Sequence, residues 1–64
     1  MDPDAVRKVY EEMHMDWLCT MLLGLAGDAH DNHHAGNEKG YEFCVDRIAI
    51  LIDVMSSRLP DVGT

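Results

Sequence analysis

Between Trp17 and Gly27 the chain reads Trp-Leu-Cys-Thr-Met-Leu-Leu-Gly-Leu-Ala-Gly, and Thr20 is its one polar side chain. Wound into a helix, this run is apolar almost all the way round. A surface helix of a small domain needs only one apolar stripe, so this one demands neighbours on several sides. The whole chain has only 64 residues to supply them. A chain of that length buries about 60% of the surface its unfolded form exposes. Ordering it costs on the order of 1.5 kcal/mol per residue, which leaves core and entropy nearly balanced unless a partner or a staple contributes.

The first helix is expected over about 3–27. Asp2 is a preferred N-cap and Pro3 suits the first helical position, while Asp4 places negative charge where the helix dipole favours it. Asp4 with Lys8, Arg7 with Glu11 and Lys8 with Glu12 are opposite charges four apart, the spacing of an exposed helix face. Val6, Tyr10, Met13, Trp17 and Met21 form one apolar stripe, and Met15, Leu18, Leu22 and Leu25 a second. The two stripes merge after Trp17. Gly24 lies inside the pattern, where close approach of another helix is its useful reading, and Gly27 is the expected C-cap.

Residues 28–37 are expected as a polar, His-rich loop without periodicity. Asn37 then caps a second helix over about 38–59, which Pro60 ends. Residues 60–64 read as a frayed tail. In the second helix Tyr41, Cys44, Ile48, Leu51, Met55 and Leu59 step by three or four, as in a seam. Val45, Ala49 and Ile52 widen that seam, and Phe43, Ile50 and Val54 occupy a further flank. The fold class is therefore all-α: one domain, a two-helix antiparallel hairpin, dimerising into a four-helix bundle that buries the surplus flanks. Cys19 and Cys44 are expected within about a turn of the same level in that hairpin.

Twelve Asp and Glu against five Lys and Arg give a formal charge of −7. That balance argues against direct nucleic-acid binding and against an anionic membrane surface, and it suits a protein target with a basic surface. The apolar run is too short to span a bilayer, and no basic segment of a signal peptide is visible. The expected location is the cytoplasm. Two cysteines inside apolar helical patterns make no secreted disulfide framework.

Three kinds of site are conceivable. Asp28, His30, Asp31, His33 and His34 carry metal-ligand chemistry, and zinc accepts such donors. They reproduce no specific ligand spacing, so the primary expectation is no cofactor, with a zinc-binding or metal-sensing module as the alternative. For catalysis, the cysteines lie where a thiolate is disfavoured and no phosphate loop is present. No enzyme is expected. The remaining candidates are the adaptable side chains Tyr10, Met13, Trp17, Met21, Phe43, Ile50 and Val54, of the types that fill dimer cores and partner surfaces.

In architecture the chain resembles the small acidic two-helix proteins often encoded by phages and bacterial accessory elements. That resemblance implies a protein that binds another protein and blocks or redirects it. The resulting expectation is a homodimeric interaction module that inhibits or modulates a protein target, such as a DNA-binding transcriptional regulator. A structural self-assembly subunit is the further alternative.

Overall fold

The computed structural model describes residues 2–59, so the tail expected at 60–64 lies outside the described residues. Three helices follow in order: α1 over Pro3–Glu11, α2 over Met15–His34 and α3 over Glu38–Arg58. The all-α expectation holds, and no strand occurs among the described residues. The expectation of two helices is corrected to three. The first helix is broken at residues 12–14, and most of the predicted loop is helical.

The break has a physical cause in the two apolar stripes. At about 100° per residue, Val6 and Leu18 differ in direction by about 120°. One straight helix cannot turn both toward the same neighbour. Breaking at residues 12–14 lets α1 bury Val6 and Tyr10 while α2 buries Leu18, and all three join Leu51 and Val54 of α3 in one core. The interruption frees carbonyls at the end of α1, which need partners. Arg58, the last residue of α3, supplies them: its guanidinium donates to the carbonyl oxygens of Tyr10 (3.0 Å), Glu11 and Met13. Arg7 of α1 also pairs with Asp53 of α3. The Arg7 pKa is raised, first by the hydrogen bond to Asp53 and then by that carboxylate's charge.

At the other end, α2 runs on to His34 because Ala29 continues the buried spacing of Leu18, Leu22 and Leu25; Ala29 itself is buried. The C-cap is Ala35, followed by the left-handed Gly36, and not Gly27. Gly36 has φ +74°, and its N–H donates to the carbonyl of His33 while the N–H of Asn37 reaches that of Asn32. These paired bonds form the left-handed cap for which glycine is the natural residue. Asn37 turns the corner, because its side-chain oxygen accepts from the Gly40 N–H and so caps α3 as expected. Asn32 Oδ1 accepts from Asn37 Nδ2 at 3.0 Å, and Asn32 Nδ2 donates to the Asp28 carbonyl. Gly40 faces this amide pair: a Cβ there would stand 2.5 Å from Asn32 Oδ1 and 2.7 Å from Asn37 Nδ2.

α2 and α3 thus form an antiparallel hairpin with a three-residue connection at 35–37. α1 lies along α3 with the same direction, its start beside Phe43 and Ile50 and its end at Arg58. Extending α2 shifts the register of the cysteines. Cys19 lies fifteen positions before the end of α2 and Cys44 six after the start of α3. That separates them by about 14 Å along the axis, not the expected turn or less. Both thiols are free, with Cys19 exposed and Cys44 buried.

Candidate interaction surface

The position of α1 decides which apolar side chains are left in water. Val6 shares a cleft with Phe43 and Ile50, and Arg7 meets Asp53, so α1 covers the flank of α3 that carries Ile50 and Val54 and leaves Phe43 exposed at its margin. That flank was expected to face outward. Val54 is instead a core residue, 1% exposed. The opposite flank of α3 carries Tyr41, Val45, Ile48, Ile52, Met55 and Leu59, which fall within about 80° of one another on the helix. Tyr41, Val45, Ile52 and Leu59 are exposed, Ile52 by 48% and Leu59 by 62%, and Ile48 and Met55 are half-buried.

α2 continues the same open face. Met15, Cys19, Leu22, Ala26 and His33 fall within about 60° of one another. Cys19, Ala26 and His33 are exposed, while Met15 and Leu22 are half-buried and pack against the core at the edge of the face. The rings of His33 and Tyr41 lie 5.5 Å apart across the hairpin. That contact fixes the two stripes on one side of the α2–α3 layer, opposite α1. No Asp, Glu, Lys or Arg among the described residues of α2 and α3 falls within either arc. The centre of this surface is free of charge, and Glu38 borders it at one end, in a cleft with His33 and Tyr41. Contiguous apolar surface of this kind is uncommon on a self-sufficient monomer.

The seven side chains singled out for partner contact separate by burial. Tyr10 and Val54 are core, and Met13, Met21 and Ile50 are half-buried and packed against it. Trp17 is 61% and Phe43 55% exposed. Both lie on the α1 side of the hairpin, away from the charge-free face. Phe43 carries the Arg47 guanidinium 4.6 Å above its ring, a cation–π contact at an exposed site. Trp17 lines a shallow cleft with Asp16 and Thr20. The residues missed by sequence reasoning are Val45, Ile52 and Leu59 as outward-facing groups. Their spacing was visible, but the flank that α1 covers depends on the break at residues 12–14.

Asp28, His30, Asp31, His33 and His34 stand on the last two turns of α2, not in a loop. All five are exposed. The helix directs His30, His33 and His34 to one side and Asp28 and Asp31 elsewhere. The His30 and His34 rings are 4.4 Å apart, and His30 Nδ1 lies 3.9 Å from Asp31 Oδ1. Among the described residues, no group of three or more His, Cys, Asp or Glu side chains is placed to hold a metal ion. No helix among them is long and apolar enough to cross a membrane. Gly24, expected at a close helix approach, has open space around it.

Comparison of the chain with known protein families, curated proteins and solved structures returns no match.

Proposed function

We propose that this chain is a protein-interaction module that works as a homodimer and binds another protein, which it inhibits or modulates. The charge-free apolar face of the α2–α3 hairpin carries this reading, because such surface in water is costly at about 25 cal/mol per Å² and is stabilised by association. In the dimer the two hairpins form a four-helix bundle with each α1 outside. The acidic residues of the outer surface then steer a basic protein patch, such as that of a DNA-binding regulator. They repel nucleic acid and anionic lipid themselves.

Trp17 and Phe43 are the anchors available to that target, since both are large, aromatic and exposed. The test is affinity capture of the target on immobilised wild-type chain, followed by titration of the recovered protein against Trp17→Ala and Phe43→Ala variants. Both substitutions should weaken binding, by about tenfold or more each, with helix content unchanged by circular dichroism. Undiminished binding by both variants, or no specific capture from the native cell, contradicts the reading.

A further inference from the structure

We infer that the open face of α2 and α3 is covered by a second copy of this chain, and that the target is left the opposite side with Trp17 and Phe43. The inference rests on the interaction reading above and divides the surface between the two partners.

Four observations select the occupant. The first is charge: two copies, each of net charge −7, repel through every part of their surface that carries carboxylates. The centre of the face built on Tyr41, Val45 and Ile52 carries none, with Glu38 only at its border, so two copies can approach there with little juxtaposition of like charges. A basic target gains little there, because the centre of the face offers no carboxylate to pair with its lysines and arginines.

The second is area. α2 has 20 residues and so a length of about 30 Å, and two helices side by side are about 20 Å wide. The product, which counts the polar margins of the two helices as well as the apolar arcs, is about 600 Å² per copy, at the small end of stable interfaces. A standard stable interface takes about 800 Å² from each partner. The third is the size of the core: among the described residues only Leu18, Leu51 and Val54 have side chains essentially sealed from solvent. A chain of 64 residues with so few sealed side chains is short of what a small domain needs on its own.

The fourth is shape. An isologous interface must complement itself about a two-fold axis. The face sets large exposed groups of α3 (Tyr41, Val45, Ile52) beside small exposed ones of α2 (Cys19, Ala26), the ridges and gaps that interdigitating helices require.

Sedimentation equilibrium of the full chain at several concentrations, with wild type, Ile52→Glu and Trp17→Glu, tests this division. Wild type should have the mass of a dimer. Ile52→Glu should dissociate at least about a hundredfold more readily, since its carboxylate would be desolvated in the interface. Trp17→Glu should dimerise as wild type does, and the emission of Trp17, the one tryptophan, should remain that of a water-exposed indole in the wild-type dimer. If Ile52→Glu does not fold, the wild-type melting temperature decides: a rise with protein concentration supports the dimer, and independence of concentration overturns it. An Ile52→Glu variant that stays dimeric, or a Trp17→Glu variant that does not, overturns the inference. A monomeric wild type that captures its target, but loses it on Ile52→Glu, overturns the inference while leaving the interaction reading intact. A monomer that captures nothing overturns both.

Discussion

Two glycines in this chain have opposite surroundings, and their replacement separates helix propensity from packing. A Cβ at Gly24 meets nothing within 4 Å. Gly24→Ala should therefore stabilise the protein by up to about 1 kcal/mol through propensity alone. Gly40 is the reverse case, because a Cβ there collides with the Asn32–Asn37 amide pair that closes the corner. Gly40→Ala should lose that hydrogen bond and the tight turn, lowering stability by about 1 kcal/mol. Gly36→Ala should cost a similar amount, about 1 kcal/mol, because its φ of +74° is a left-handed conformation that a Cβ disfavours. Thermal denaturation of the three variants checks the order: Gly24→Ala melts above wild type, and the other two below.

At the scale of elements, α1 is held at its end by one side chain. Arg58 donates to carbonyls at three positions where α1 stops, and arginine's fork of donors suits that arrangement better than a lysine's point charge. Arg58→Ala should fray α1 and cost about 1–2 kcal/mol, discounted from buried values because the group is exposed. Arg58→Lys should recover only part of this. Hydrogen exchange at α1 amides, compared with those of α2, reads the effect; equal protection in wild type and Arg58→Ala would contradict it. The Arg7–Asp53 pair adds no titration near neutrality from its arginine side. A raised arginine pKa means that its contribution is fully present below the ordinary value and is lost only at pH above it.

Much of this architecture is legible in the sequence. Asp2-Pro3 marks the start of α1 and Asn37 the start of α3. The apolar steps of three and four mark the helical character of these segments, though the expectation drawn from them is two helices and not three. The break at residues 12–14 is the harder feature, since no Gly or Pro stands there. It is implied by two stripes out of phase in one run, and what stabilises it is Arg58, 45 positions away from Met13 in the chain. The extension of α2 through the histidines was hidden by their polarity. Ala29 and Gly36 were its only local signs. The interaction surface was legible as surplus apolar flanks, but its side was not, because the choice follows from where α1 docks.

For the whole molecule, the consequence is a two-sided object. α1 seals one flank of the hairpin and leaves Trp17 and Phe43 at its margins, while the other flank is apolar at its centre, with Glu38 at one end. Association through that second flank should be insensitive to salt, or strengthened by it, because ions screen the repulsion between two acidic copies. Target binding through the acidic outer side should weaken as salt rises. The most direct measurement is isotope-filtered NMR on a mixed sample of labelled and unlabelled chains, which detects only contacts between copies. The account predicts intermolecular contacts from the methyl groups of Val45, Ile48, Ile52 and Leu22. Contacts arising instead from Trp17, Phe43 and Val9 would contradict it.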